Sequence, residues 1–255
     1  MRIIILPKYQ IFRPFISQLP GIFDTSGKIL YQGRNTIKSF IYNNREWIVK
    51  RYKKPNLIQQ IIYTFFKKSK AERAYLYAQI LQSKGISTPE GIAYIEQKKN
   101  GLVHEYFFIS TPCNIPAIYP TLGGSEEFDT YLADCLAAFF VQMHTKGFLH
   151  GDPNLNNILY HEDKEGNVSF SVIDTNRSVF KSSPTQQECL DNLKRITHQR
   201  KLLQYITTQY AILRKWDTSQ SVETVMKALD KFEKRRKVKH AIKKMCHFKH
   251  SSTAK

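Results

Sequence analysis

The segment Leu149–Asn176, LHGDPNLNNILYHEDKEGNVSFSVIDTN, constrains the fold more than any other part of the chain. It begins with the pattern H-x-D-x-x-x-x-N, in which Asp152 precedes Asn157. Two short apolar runs follow, separated by a polar turn, and the second run ends at Asp174. Runs of this kind predict a β-hairpin that brings Asp174 back beside the loop. Asp152, Asn157 and Asp174 are therefore expected to lie close together.

These three side chains are the ones that phosphoryl transfer from ATP requires. One carboxylate, assigned to Asp152, accepts the proton of the acceptor hydroxyl. An amide oxygen from Asn157 and the carboxylate of Asp174 bind the Mg²⁺ that bridges the phosphates. The alternative is a loop whose Asn and Asp side chains only cap turns. That alternative does not explain why two acids bracket a hairpin just after a long amphipathic helix, so we predict a kinase that uses ATP and Mg²⁺.

A kinase also needs a lysine that binds the ATP phosphates and a helix glutamate that pairs with that lysine. Lys50 follows the apolar run Trp47–Val49 in a predicted strand and is the candidate phosphate-binding residue. Glu72 begins the helical pattern that follows and is the candidate partner. The alternative for Lys50 is an ordinary solvated lysine on the surface of a basic chain.

The loop that would cover the phosphates departs most from a kinase pattern, since no G-x-G-x-x-G occurs in the chain. The segment Tyr31–Thr36, between the first two predicted strands, offers one glycine. Gly33 permits a tight turn whose backbone N–H groups face a phosphate, and Arg34 adds positive charge. The alternative is an ordinary hairpin turn.

The order of the predicted elements indicates an α+β chain with two lobes. Strands are expected over 28–52 and again over 92–110, with a helix between them ending near Gly85. Residues 1–112 are thus predicted to form a β-rich N-lobe, mainly an antiparallel sheet of about five strands plus one helix. Residues 113–255 are predicted to form a helical C-lobe with the catalytic loop and a basic tail. Its helices are expected near 128–147, 186–216 and 221–245.

The charge balance restricts the partners of the chain. Lysine and arginine number 39 against 21 acidic residues, for a net charge of +18. This excess favours a polyanion, which includes nucleic acid, a phosphorylated glycan and an anionic membrane. The four cysteines show no CxxC pattern, which argues against a zinc site or a disulfide framework and favours a reducing, cytoplasmic compartment. No apolar run approaches ~18 residues, and Ile3–Leu6 is too short for a signal-peptide core.

With these motifs in place, the chain resembles the protein-kinase-like superfamily, with Asp174 at the position of the Asp in Asp-Phe-Gly. Four departures indicate an acceptor other than a peptide. Gly151 replaces the Arg that is common in protein kinases, as in kinases of small molecules and sugars. Asp174 is followed by Thr175-Asn176, and no long segment ending in Ala-Pro-Glu follows. Pro153 directly follows the proposed base and restricts its backbone.

The HGD-x-N-x-x-N-I-L loop, the short C-terminal lobe and the positive charge most resemble the lipopolysaccharide core kinases, over about residues 27–215. This resemblance implies a phosphotransferase that acts on a sugar hydroxyl, of Kdo or heptose, in the lipid A–core glycolipid. It also implies a cytoplasmic enzyme that is peripheral on the inner membrane. The catalytic motif also suits aminoglycoside, choline or protein kinases, although a strongly basic protein is a poor match for a cationic acceptor.

Two readings without catalysis remain as alternatives. A nucleic-acid-binding protein would explain the charge, but the chain has no zinc pattern, RNA-binding aromatic signature or basic-zipper heptad, so no specific nucleic acid is expected. A pseudokinase that binds ATP without turnover is disfavoured by the intact catalytic residues.

Two segments are candidates for contact with an anionic membrane surface. Leu57–Lys70 places large apolar residues beside lysines, as interfacial helices do, although a helix packed on the sheet shows the same pattern. Lys231–Lys249 is a basic stretch with a thin apolar stripe of Phe232, Val238, Ile242 and Met245, although a solvated basic end is equally compatible.

Overall fold

The computed structural model describes residues 1–251, with side chains described for residues 1–239 and 241. The strands are Arg2–Ile5 (β1), Lys28–Gln32 (β2), Thr36–Tyr42 (β3), Arg45–Arg51 (β4), Gly91–Lys99 (β5), Leu102–Ser110 (β6), Phe148–Leu149 (β7), Ile158–Glu162 (β8), Val168–Val172 (β9) and Val179–Phe180 (β10). The α-helices are Arg13–Ile22 (α1), Leu57–Phe65 (α2), Lys70–Ser83 (α3), Tyr119–Leu122 (α4), Thr130–Thr145 (α5), Gln186–Leu193 (α6), Arg200–Arg214 (α7) and Thr218–Ser251 (α8). Short 3-10 helices span Pro7–Phe12 and Thr175–Arg177.

A six-stranded antiparallel sheet with the order β1-β5-β6-β4-β3-β2 organises the N-terminal part of the chain. The turn between β3 and β4 is the predicted Asn43-Asn44 turn, and both residues have positive φ, 51° and 55°. Asparagine tolerates this backbone, which matches the twist of the two strands. The sheet has one strand more than expected, because the four-residue run of β1 pairs with β5 at the edge.

The segment before β2 covers one face of the sheet, a role that the sequence pattern did not reveal. The 3-10 helix and α1 bury Phe12, Phe15 and Leu19 against the sheet. The Phe12 and Trp47 rings lie 4.9 Å apart in an edge-to-face contact. Aromatic and aliphatic burial of this extent makes the N-terminal segment part of the core.

Two helices, rather than the one predicted, lie between β4 and β5. Asn56 caps α2 and Ser69 caps α3, each by accepting a hydrogen bond from the backbone N–H three residues later. Ser69 therefore begins a new helix within the segment that we predicted to be continuous. The apolar positions that predicted α3 are all buried, and they are Ala71, Ala74, Tyr75, Ala78 and Leu81.

The predicted hairpin after the catalytic loop is confirmed, since β8 and β9 pair antiparallel with Ile158 opposite Val172. The backbone N–H of Val172 donates to the carbonyl of Ser87 at 2.9 Å, and the Thr88 hydroxyl donates to the carbonyl of Val172 at 2.8 Å. These bonds attach the hairpin to the unit that contains the large sheet. This unit comprises Met1–Ala117, His150–Asp152 and Asn157–Val179. The proposed division between residues 112 and 113, taken as a domain boundary, stays a prediction.

The second unit is helical and comprises Ile118–Leu149, Pro153–Asn156 and the chain from Phe180 onward. Within it α7 packs against both α5 and α8. The predicted segment 186–216 is two helices, because a loop separates α6 from α7. Thr185 and Glu188 form a capping box that begins α6. Among the helices of the described residues, none combines the length and apolarity needed to cross a bilayer.

A buried histidine makes the stability of this helical unit sensitive to acid. His144 is 1% exposed in α5, where Nδ1 accepts from the Tyr210 hydroxyl at 2.8 Å and Nε2 donates to Asn192 Oδ1 at 3.1 Å. Burial lowers the pKa of His144 from its usual 6.5 to about 4. The neutral ring is therefore the form that the folded protein retains.

We expect the free energy of unfolding to fall by ~3 kcal/mol as the pH drops from 7 to 4. The unfolded histidine binds a proton below about 6.5, whereas the folded one does so only near 4, so acid favours the unfolded state. Urea denaturation at several pH values measures how the free energy of unfolding changes with pH. This pH dependence should be much weaker in the His144→Asn variant. An unchanged pH dependence in that variant would contradict its assignment to His144.

Candidate active site

The candidate site is built around an ion pair between the sheet and the hairpin. Lys50 lies on β4, where its neighbours across the sheet are Ile37 on β3 and Phe108 on β6. Its Nζ lies 2.7 Å from Oδ1 of Asp174, which follows β9. The side chain of Lys50 is 15% exposed and that of Asp174 is 37% exposed, so the pair is accessible to a ligand from one side. Two residues 124 positions apart are thereby brought into contact.

Asp174 has an unusual backbone conformation. Its φ of 56° and ψ of 42° lie in the left-handed region, which residues other than glycine rarely occupy. Asn176, in the short helix that follows, donates from Nδ2 to Asp174 Oδ1 at 2.7 Å. Strained backbone of this kind persists where the surroundings enforce it, and it is concentrated at functional sites. The carboxylate orientation is thus set by Lys50, Asn176 and the backbone together.

Partial burial would raise the pKa of the Asp174 carboxyl, but neighbouring cations outweigh it. Lys50, by its charge and its hydrogen bond, and then His150 and Arg177, hold the pKa of Asp174 below its usual value. Asp174 is therefore ionised at neutral pH. An ionised carboxylate is the form that binds a divalent cation.

A fully buried histidine positions the catalytic loop. His150 Nδ1 accepts from the backbone N–H of Asp152 at 3.0 Å, so Nε2 carries the ring hydrogen and donates to the carbonyl of Ile173 at 2.9 Å. Asn157 Nδ2 donates to the carbonyl of Asp152 at 2.9 Å. The main chain of Asp152 is therefore fixed on both sides, and Asp152 and Asn157 lie together as predicted.

Gly151 is required by a close approach of two backbones. A Cβ atom at Gly151 would lie 2.3 Å from the carbonyl carbon of Arg177, well inside van der Waals contact. The Gly151 N–H also donates to the Ser178 hydroxyl at 3.2 Å. The arginine common in protein kinases could not occupy this position without displacing Arg177. Gly151 thus joins the catalytic loop to the segment after Asp174.

Glu72 is paired with Arg2 in the structure, and not with Lys50 as inferred from the sequence. Glu72 Oε1 lies 3.5 Å from Arg2 Nη2, whereas the ion-pair partner of Lys50 is Asp174. Burial and the Glu72 charge, with a hydrogen bond between the two side chains, raise the pKa of Tyr94. Arg2 belongs to β1, the edge strand that the sequence pattern did not reveal. Arg2, which is distant from Glu72 in the chain, is therefore the partner of the carboxylate that the sequence pattern had assigned to Lys50.

Gly33 and Arg34 lie in the turn between β2 and β3, as expected, and both are exposed. The Gly33 N–H donates to the carbonyl of Asn35 at 3.0 Å, and Asn35 Oδ1 accepts from the N–H of Lys53 at 3.1 Å. This N–H of Gly33 is therefore engaged within the turn. The positive charge of Arg34 acts on Lys70, so this turn contributes charge to the neighbourhood of α3.

Three oxygen donors fit a magnesium ion. Asp174 supplies a carboxylate, and Asn157 uses its Nδ2 for the loop, which leaves Oδ1 as its donor. Asn176 is 4% exposed, and its Oδ1 is buried without a hydrogen-bond partner among the described residues. No group of three His, Cys, Asp or Glu residues suited to a metal occurs in the described part of the chain. Mg²⁺ needs no such group, since it is commonly bound through one or two carboxylates, water and substrate phosphates.

Sequence reasoning missed five residues at this site. His150 and Asn176 belong to the quoted motif, but their roles depend on contacts that no spacing predicts. The other three are cations: Lys70 and Arg177, which interact with the charge of Asp174, and Arg73, whose charge acts on Lys70. In a chain with 39 basic residues, nothing in the pattern separates these cations from ordinary surface charges.

A sheet lysine, a catalytic-loop aspartate and asparagine, and a second aspartate after a hairpin together define a kinase of the protein-kinase-like fold. The chain belongs to the lipopolysaccharide kinase (Kdo/WaaP) family, whose model matches residues 31–229. The solved structure described as WaaP in complex with acyl carrier protein superposes with a TM-score of 0.59 and 13% identity, over 92% of this chain and 98% of that one. A search of curated protein sequences finds no significant match.

These comparisons confirm the kinase-like α+β fold, the resemblance to lipopolysaccharide kinases and the assignment as a phosphotransferase. The matched region contains Lys50, Asp152, Asn157 and Asp174. At this level of identity the structural likeness shows the fold alone. The roles of individual residues therefore depend on the contacts in this chain.

Proposed function

We propose that the protein transfers the γ-phosphate of ATP to a sugar hydroxyl, of Kdo or heptose, in the lipopolysaccharide inner core at the cytoplasmic face of the inner membrane. One observation carries the proposal. Lys50 contacts Asp174 at 2.7 Å, and Asn157 bonds the backbone of Asp152 at 2.9 Å, within the same compact unit. The residue types for phosphate binding, metal binding and proton removal are thus present together.

In the proposed mechanism, Asp152 accepts the proton of the sugar hydroxyl as its oxygen forms a bond to the γ-phosphorus. The bond between the γ-phosphorus and the bridging oxygen of ADP breaks, and ADP leaves. His150 and Asn157 keep Asp152 in position through its backbone, and Pro153 limits its conformations further. Positioning of this kind supplies much of the rate enhancement of phosphoryl transfer.

Lys50 neutralises charge on the nucleotide phosphates, which requires that it exchange part of its contact with Asp174 for a phosphate oxygen. Asp174 and Asn157 would bind Mg²⁺, with Asn176 Oδ1 available nearby as a further oxygen donor. When bound, Mg²⁺ neutralises charge that develops on the phosphates.

Charge supports an anionic acceptor. With a net charge of +18, the protein attracts a phosphorylated glycolipid and repels a cationic acceptor such as an aminoglycoside. The test combines the protein with labelled ATP and one of three acceptors, which are Kdo-bearing lipid A, the heptose-extended form and a generic protein. Label in the glycolipid supports the proposal, and comparison of the first two acceptors identifies the sugar. Label that enters only the protein would overturn it.

We infer that helix α2 contacts the membrane surface, and the exposure of its side chains supports this inference. Its protein-facing side includes Thr64, whose Oγ1 accepts from the Val103 N–H at 2.9 Å, and Tyr63, whose ring lies 5.9 Å from that of Tyr106. Its other side is exposed and apolar, with exposures of 64% for Leu57, 69% for Ile58, 40% for Ile61, 37% for Ile62 and 67% for Phe65, and the C-cap residue Phe66 is 81% exposed. A helix that packs on a core turns its apolar side toward the protein, whereas α2 turns its apolar side toward solvent. Lys67 and Lys68 follow at once, which suits an anionic leaflet.

The basic tail has weaker support from the structure. The rings of Phe232 and His198 stack with their centroids 6.2 Å apart, so this member of the proposed apolar stripe packs against a side chain of the helical unit. Val238 is 52% exposed, whereas Ile242 and Met245 lie outside the described side chains. We therefore propose α2 as the principal membrane contact.

Replacing Ile58 and Phe66 together by Ser should weaken binding to phosphatidylglycerol-containing vesicles by about a hundredfold, because two large apolar side chains no longer enter the lipid. The matched control replaces Ile11 and Ile41 by Ser. These residues are 80% and 73% exposed but belong neither to α2 nor to its C-cap. Vesicle sedimentation measures binding, and equal losses in both variants would refute the role of α2. Activity on detergent-dispersed glycolipid should survive in both.

A further inference from the structure

Four cations lie around the start of α3, and none of them has a carboxylate partner among the residues that the structure describes. Lys70, the first residue of α3, is partly buried, and the charges of Arg34, Arg177 and Arg73 all act on it. The three arginines come from the β2–β3 turn, from the short helix after Asp174 and from α3 itself. Packing of α3 against that short helix brings Arg177 to Lys70 and Arg73. We call Arg34, Lys70, Arg73 and Arg177 the α3 cation cluster.

The α3 cation cluster is electrostatically unfavourable as it stands. Burial first, and then repulsion from the three arginines, lowers the pKa of Lys70, and Asp174 offsets this only in part. Within the described residues, none of the four cations forms an ion pair with an acid, and Asp174 is paired with Lys50. Arg73 Nε is buried and has no hydrogen-bond partner among these residues. Lys70 also lies at the end of the helix where the backbone dipole disfavours positive charge.

One kind of ligand relieves all of these costs. An anion with several phosphate oxygens accepts from an ammonium and from guanidinium groups at once, and charged hydrogen bonds of this type are strong. The location indicates which phosphates. Asp174, whose charge acts on Lys70, is the proposed metal ligand, and Arg34 lies in the turn expected to cover the phosphates. The charges of Arg34 and Arg73 also both act on Tyr106, which places them near the same part of the sheet.

We propose that the α3 cation cluster binds the polyphosphate chain of the nucleotide. In this chain α3 contributes cations to the nucleotide site, in addition to or in place of a glutamate that pairs with Lys50. The pairing of Glu72 with Arg2 agrees with this arrangement. The inference rests on the proposed kinase function, because it assigns the cluster to the nucleotide of that reaction.

Binding of inorganic tripolyphosphate, ATP and AMP, each with Mg²⁺, to matched variants tests the inference. We expect Lys70→Gln and Arg177→Gln each to raise the Kd of tripolyphosphate and of ATP by about tenfold or more, since each removes charged hydrogen bonds. The Kd of AMP should change by less than about twofold, because AMP has no polyphosphate chain. Lys70→Arg should retain most of the affinity. Lys99→Gln makes the same charge change at the exposed last residue of β5 and is the control. Thermal unfolding confirms that each variant is folded.

The outcomes separate this inference from the kinase proposal. Unchanged tripolyphosphate binding in folded Lys70→Gln and Arg177→Gln would overturn the inference, even if the wild type phosphorylates glycolipid. A raised KM for the glycolipid with unchanged ATP affinity would also overturn it, because phosphates of the acceptor would then occupy the cluster. Cluster-dependent tripolyphosphate binding supports the inference, even where no transfer to a sugar is detected. Cluster-dependent binding without transfer to a sugar would reject only the proposed acceptor, and the assignment of the α3 cation cluster would stand.

Discussion

Replacing Asp152 by Asn should lower kcat for transfer to the sugar by about a thousandfold, because the variant cannot take up the hydroxyl proton. Asparagine has nearly the same shape, and the bonds that fix this residue come from its backbone N–H and carbonyl. The loop should therefore keep its conformation. ATP affinity should stay within about threefold of the wild-type value, since Asp152 has no proposed contact with the nucleotide.

Asp163→Asn is a suitable control for this experiment. Asp163 lies in the exposed turn between β8 and β9, where it accepts from the backbone N–H groups of Glu165 and Asn167, both at 2.9 Å. Asp163→Asn thus makes the same chemical change in the hairpin that follows the catalytic loop, away from Asp152. Steady-state kinetics with the glycolipid and nucleotide titration give the two readouts. Full activity of Asp152→Asn would exclude Asp152 as the base.

Replacing Lys50 by Met should lower kcat/KM for ATP by roughly a hundredfold or more, because a preorganised positive charge at the transferring phosphates is lost. Lys50 also forms the ion pair with Asp174, so the variant should bind the metal and nucleotide in a less ordered geometry. Transfer assays at varied ATP concentration measure this effect. The Lys50→Arg variant, which keeps the charge, should recover part of the loss.

The same assay distinguishes the two candidate partners of Lys50. Glu72 lies 3.5 Å from Arg2, so Glu72→Gln should lower kcat/KM for ATP by less than about tenfold. Its effect should instead resemble that of Arg2→Gln, namely a lower melting temperature with little change in kinetics. If Glu72→Gln lost as much activity as Lys50→Met, Glu72 would pair with Lys50 in the nucleotide-bound protein.

Residues close together in the chain were the easiest to place from the sequence. Asp152 and Asn157 share one loop, and the apolar runs that flank the polar turn were sufficient to return Asp174 to that loop. Lys50 was predicted from a local pattern, in which three apolar residues and then a lysine stand at the end of a strand. The helix over Ala71–Leu81 was also predicted correctly, since its 3.6-residue spacing reflects a buried face.

Contacts between distant segments were not accessible in this way. The run Arg2–Ile5 is too short to predict a strand by itself, and its pairing with β5 is what brings Arg2 to Glu72. The exposed apolar side of α2 has the same periodicity as a buried one, because a hydrophobic stripe does not indicate what covers it. Only the neighbours of α2 show that its polar side faces the protein.

The amino-acid pattern alone was sufficient to predict the kinase chemistry and to propose the residues that bear it, because those residues follow one another at the short spacings that a loop and a hairpin demand. The partner of Lys50, the role of Gly151 and the grouping of cations around Lys70 came only from the folded chain. Ion pairs and close backbone contacts depend on how near two residues lie in space, which the sequence does not show. In a chain with a net charge of +18, only this nearness distinguishes basic residues that form a cluster from ordinary basic residues on the surface.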